Sequence, residues 1–175
     1  FTAGNGIQGS LRLGYFLSGQ DYLKEFFNNE RDIISGNFGG LYFRSGYLSS
    51  YSMGVAPVGP AKISAEITFF EEIKGDFAPV TANPDEMRLL NFSDATISNL
   101  AGYSVENFTN FLNVNYSFRS QIKPSYFQTT GNLTNPDRIV YGTKESSVDI
   151  VVDNVSGRLP FSGDRAGIQI TLNNA

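Results

Sequence analysis

The chain has 175 residues, 41% hydrophobic and 17% charged, with a formal net charge of −4 and neither Cys nor His. That length and apolar content suit one domain with a sizeable core rather than a disordered polar chain. The acidic balance argues against a partner held by phosphate contacts, and without Cys there is no disulfide and no thiolate metal site.

Taken in chain order, the clearest signal is alternation with a period of two. Leu11, Leu13, Tyr15 and Leu17 give a first strand, weakened by Phe16 on the opposite face. A short helix is expected over residues 21–29, with Asp21 as its cap and Leu23, Phe26 and Phe27 on one side. Gly36-Asn37-Phe38-Gly39-Gly40 reads as a turn between strands. Residues 41–43 and 47–55 are strand candidates, and the second run contains no charge. Such a strand is hazardous as an open edge, and safe at the centre of a sheet or paired with another subunit. Residues 62–69 set Ile63, Ala65, Ile67 and Phe69 against Lys62, Ser64, Glu66 and Thr68, so one face is buried and the other is wet.

Residues 75–85 form the best internal boundary. The chain reads as a single β-rich domain, 1–175. Duplication stays open, with halves of about 1–75 and 86–175 joined by 76–85. A weak helical turn is expected over 85–90. Leu112, Val114, Tyr116 and Phe118 alternate with Asn113, Asn115, Ser117 and Arg119. Residues 138–141, 148–152 and 168–172 complete the strand candidates. No apolar run reaches the ~18 residues of a membrane-spanning helix. Phe1 opens the chain, no signal-peptide pattern is visible, and both processing and a longer precursor stay open.

Catalytic chemistry has few places to reside. Without His the commonest general base and metal ligand are missing, and without Cys so is the thiolate nucleophile. Glu71-Glu72 and Asp85-Glu86 are adjacent carboxylates, but neighbours in a strand point to opposite faces, and a solvated strand end is the simpler reading. Asp149, Asp153, Asn154 and Asp164 do not match a calcium-loop spacing. Gly4-Asn5-Gly6-Ile7-Gln8-Gly9 fits a dinucleotide fingerprint only superficially, because it lacks a strand before it and a helix after it. Asn91, Asn107, Asn115, Asn132 and Asn154 head Asn-x-Ser/Thr sequons, which an Asn-rich chain produces by chance. The expectation is no enzyme, with no catalytic, cofactor or metal residues.

Three features point to assembly instead: the uncharged run 47–55, the pairs Phe26-Phe27 and Phe69-Phe70, and plain polar termini. Each pair places a large apolar group on both sides of the chain. One side can be core and the other an interface, unless a second layer of the same chain covers it.

The stretch 36–52, running on into Ala56-Pro57-Val58-Gly59-Pro60-Ala61 and residues 63–70, resembles virion proteins of tailed bacteriophages. So do Val114-Asn115-Tyr116-Ser117-Phe118-Arg119, Lys123-Pro124-Ser125-Tyr126-Phe127, Pro136-Asp137-Arg138 and Lys144-Glu145. In style they are most similar to the tail tube protein and its relatives. That resemblance implies an all-β sandwich or half-barrel with one flanking helix. It implies homo-oligomeric rings, hexameric and stacked into a tube, that contact other tail proteins and pass DNA only as cargo. It places the subunit in the virion, assembled in the host cytoplasm. The alternatives are a carbohydrate-binding or adhesive β-sandwich, or another virion part such as a capsid decoration, neck or baseplate component.

Overall fold

The computed structural model describes residues 8–19, 21, 23, 26, 33–78, 88–99, 111–126, 136–152 and 168–172. Among these residues eight strands run in chain order: β1 (Gly9–Phe16), β2 (Ile34–Phe38), β3 (Leu41–Val55), β4 (Lys62–Phe69), β5 (Ala95–Asn99), β6 (Phe111–Ser125), β7 (Arg138–Val152) and β8 (Ile168–Leu172). Six of them make one antiparallel sheet in the order β1-β4-β3-β6-β7, with β2 also paired to β3. β5 and β8 make a second, two-stranded sheet. The protein is therefore mainly β. Among the described residues no helix is long and apolar enough to cross a membrane.

Alternation in the sequence becomes burial in the sheet. On β4, Ile63, Ala65, Ile67 and Phe69 are all buried. They lie opposite Met53, Tyr51, Leu48 and Gly46 of β3, and opposite Tyr15, Leu13, Leu11 and Gly9 of β1. Val114 and Phe118 of β6 continue this face. Leu23, Phe26, Leu90 and Phe92 pack onto it from the connecting segments, and Ala95 from the start of β5. Burying this much branched and aromatic surface is the main favourable term holding the sheet together.

Phe43 stacks on Phe69 with ring centroids 5.1 Å apart. Gly46 makes the room. A Cβ there would meet Phe43 Cε2 at 2.6 Å and both the Ile34 carbonyl oxygen and Ile67 Cγ2 at 2.8 Å. A strand glycine commonly marks such a close approach.

The structure joins what the sequence divides. Residues 41–43 and 47–55 are one 15-residue strand, β3. Between the pairs Ile34↔Gly46 and Gly36↔Phe43, β3 carries two residues, Arg44 and Ser45, against one on β2. That is a β-bulge. The backbone N–H groups of Arg44 and Ser45 both donate to Glu71 Oε1, the second at 2.7 Å. Glu71 is thus the carboxylate that satisfies the bulge, not simply a solvated strand end, while Glu72 is exposed. Likewise 138–141 and 148–152 are one strand, β7, bulged at Gly142-Thr143.

Three further expectations need correction. Gly36-Asn37-Phe38 belongs to β2, and only Gly39-Gly40 turns, both with positive φ. Leu112 is 43% exposed because it is the extra residue of a bulge on β6, which breaks the alternation there. Near 85–90, residues 85–87 lie outside the described set and 88–90 are not helical. A 3₁₀ turn forms later, at Phe92–Asp94, capped by Asn91 and closed by Asp94. Asp94 also takes an ion pair from Arg88 at 2.6 Å. Of the helix expected over 21–29, only Asp21, Leu23 and Phe26 are described. Asp21 Oδ1 does accept the Leu23 N–H at 3.1 Å, as an N-cap would.

Candidate functional site

The face opposite the core is built of short polar side chains in register. Following the strand pairs across the sheet, one row reads Arg12, Glu66, Ser50, Arg119, Glu145. The next row reads Gly14, Ser64, Ser52, Ser117, Ser147, and a third reads Phe16, Lys62, Gly54, Asn115, Asp149. Small residues keep the middle of this face flat. Cross-strand bonds tie it together: Ser117 and Ser147 hydroxyls lie 2.8 Å apart, and Arg12 Nε reaches Glu66 Oε1 at 3.2 Å. The Arg12 side chain is 82% exposed, so this pair contributes little to stability.

The charged row has polarity. It begins with a cation on β1 and ends with a carboxylate on β7. Those two strands are the outer members of the sheet order, and among the described residues neither has a second pairing partner. β7 is 15 residues long, and from Gly142 to Asp149 every residue is exposed. Val140, Val148 and Val151 stand out on it as exposed apolar side chains. A long edge of this kind presents a row of free N–H and C=O groups to any strand that approaches.

The uncharged run 47–55 is elsewhere. It lies inside the sheet, with residues 50–54 paired to β4 on one side and to β6 on the other. Over residues 50–54 both edges are therefore satisfied within the chain. Phe70 is fully buried, with Tyr47 tilted against it at 6.1 Å and Tyr141 meeting Tyr47 edge-on at 6.3 Å. Both members of the Phe69-Phe70 pair are therefore covered by this chain, which is the second of the two readings open for that pair. Of the other pair, Phe26 packs on the core and Phe27 lies outside the described residues.

Carboxylates noted in the sequence do not converge. Asp149 is exposed on β7 opposite Asn115, while Asp85, Glu86, Asp153, Asn154 and Asp164 lie outside the described residues. Among the described residues no group of three or more carboxylates could hold a metal ion. Of the Gly4–Gly9 stretch, residues 4–7 lie outside the described residues, and Gly9 opens β1. Of the sequon asparagines, Asn91 accepts from the Ser93 backbone and hydroxyl, Asn115 is exposed beside Gly54, and the other three lie outside the described residues.

One cluster gave no signal in the sequence. Tyr15 of β1 and Tyr51 of β3 both donate their hydroxyls to Asp21, at 2.7 and 2.5 Å. Burial, then the bond to Asp21 and its negative charge, push both phenols well above the ordinary tyrosine range. Burial alone raises Tyr47. The cluster pins the start of the 21–29 segment onto the sheet.

No protein-family model matches this chain, and no curated protein matches it either.

Proposed function

We propose that this chain is a self-assembling structural subunit of a virion, of the tail-tube type in tailed bacteriophages, whose copies join by laying β7 of one along β1 of the next. The observation that carries this is the charged row, with Arg12 at one open edge and Glu145 at the other. Four antiparallel steps separate β1 from β7, so the two run in the same direction. Copies in like orientation then meet in parallel pairing, with Glu145 of one beside Arg12 of the next. Head-to-tail contact of this kind is heterologous, and when its rotation closes it makes a ring, which pairs the β1 and β7 edges.

In the form that the sequence resemblance implies, the ring is a hexamer, and rings stack into a tube bounded by other tail or virion proteins. DNA passes as cargo, and a net charge of −4 keeps phosphates from adhering. The sandwich or half-barrel architecture belongs to the same proposal, as does residence in the virion after assembly in the host cytoplasm. No catalytic step, metal or cofactor enters it.

Charge reversal tests the contact. Glu145→Arg and Arg12→Glu are each expected to abolish assembly while leaving the fold intact, because both side chains are exposed. The double variant restores opposite charges across the contact and should assemble again. Assembly unaffected by either single reversal would remove the β7–β1 contact from consideration.

A further inference from the structure

The charged row of the polar face crosses β1, β4, β3, β6 and β7 as Arg12, Glu66, Ser50, Arg119 and Glu145. β3 is the middle strand of that order. At equal distances from it the signs are opposite, Arg12 against Glu145 and Glu66 against Arg119. Exchanging left for right therefore inverts every charge of the row and leaves Ser50 in place.

A two-fold axis performs that exchange. When a second copy lies face to face on the first, with the axis along β3 between the layers, its strand order is reversed and its strand direction is kept. Arg12 then lies over Glu145 of the second copy and Glu66 over Arg119 of the second copy, and each contact occurs twice. An axis along the row would instead set each of these charges on its like. Aligned sheets cross at about 30°, so the match is best near the axis, and the long outer side chains follow the drift.

The next row admits a close approach. Gly14, Ser64, Ser52, Ser117 and Ser147 carry nothing longer than a hydroxymethyl group. Gly14 lies inside β1, yet a Cβ there would meet nothing within 4 Å, whereas Gly9 and Gly46 make room for the rings of Phe69 and Phe43. Packing within the described chain gives no reason for glycine at position 14. A glycine inside a strand weakens it and often marks the approach of another backbone.

We infer that the polar face is an isologous docking surface for a second copy of this chain, with Ser52 of the two copies facing each other at the axis. From β1 to β7 the face spans only about 19 Å. That is small for a stable interface, so the pair is weak and weakens further with salt. The contact leaves the backbone edges of β1 and β7 free, and it does not depend on edge-to-edge assembly.

Cross-linking with a short bismaleimide at low ionic strength tests it. The chain has no Cys, so Ser52→Cys supplies a single thiol. Val58→Cys, at a hairpin tip that is 92% exposed, measures random collision. Edge-to-edge pairing holds the β3 strands of neighbouring copies about 24 Å apart, beyond the linker, so the two contacts are read separately. Ser52→Cys should give dimers faster than Val58→Cys does. Adding Glu66→Arg or Arg119→Glu should slow this about tenfold, and adding both should restore it, because the swapped charges again face opposite signs. Circular dichroism and the thermal midpoint check that each variant is folded. Cross-linking of Ser52→Cys no faster than that of Val58→Cys would overturn the inference, as would folded charge variants that react at an unchanged rate or fail to recover when combined.

Discussion

Asp21 stands in the sequence as a plausible helix cap and nothing more. In the fold it also receives Tyr15, six residues away, and Tyr51, thirty away. Those partners come from two strands that become neighbours of the segment only once β4 lies between them, so no local pattern announces them. The linkage to pH follows from the direction of the shifts. Both phenols sit above their ordinary value of 10.0 in the folded protein. The stabilisation they give is complete below about pH 10 and is lost as the pH rises towards the raised folded values. Chemical denaturation followed across alkaline pH should show stability falling above about pH 10, and falling less steeply in Tyr51→Phe. Parallel curves for the two proteins would dissociate Tyr51 from the effect. Gly46 is a second residue whose role is invisible locally. Filling the space beneath Phe43 with a single methyl should cost about 1–3 kcal/mol. Equilibrium unfolding of Gly46→Ala measures this, and an unchanged midpoint would show that Phe43 moves aside freely.

Strands were the legible elements where apolar residues simply alternate. β4 carries the bounds its alternation predicts, because every second residue from Ile63 to Phe69 enters the core. Bulges were not legible. Arg44-Ser45 and Gly142-Thr143 interrupt the period of two, so each long strand reads as two short ones. β2 was missed because Gly36 and Asn37 carry turn chemistry, whereas Gly36 is needed under the Phe43 ring. The absence of charge in 47–55 correctly marks a strand that must not be an open edge. It does not say whose strand protects it, and here the chain protects it itself. Neighbouring residues of β3 test that placement. Met53 lies on the core face opposite Ile63 and Tyr116, while Ser52 lies on the polar face opposite Ser64 and Ser117. Met53→Asp should destabilise by about 3 kcal/mol or more through burial of an unpaired carboxylate. Ser52→Asp should stay within about 0.5 kcal/mol, as surface changes usually do. Similar losses for both in urea unfolding would contradict the assignment of faces.

At the scale of the whole molecule, the feature that matters most is spread over five strands. Arg12, Glu66, Ser50, Arg119 and Glu145 fall into one row only after β1, β4, β3, β6 and β7 take their order. Sequence spacing carries none of this, since strand order is set by how the core closes. The sequence did lead to assembly, but through β3 and Phe70, both of which turn out to be internal. The same proposal now stands on the outer edges β1 and β7, which run in the same direction and carry Arg12 and Glu145 at opposite ends of one row. A contact of that kind weakens as salt screens it, over a Debye length of about 10 Å at 0.1 M. Negative-stain microscopy of the purified chain at low ionic strength tests the central claim most directly. Closed rings or stacked tubes are the predicted result, and a field of uniform monomers at high protein concentration would contradict it.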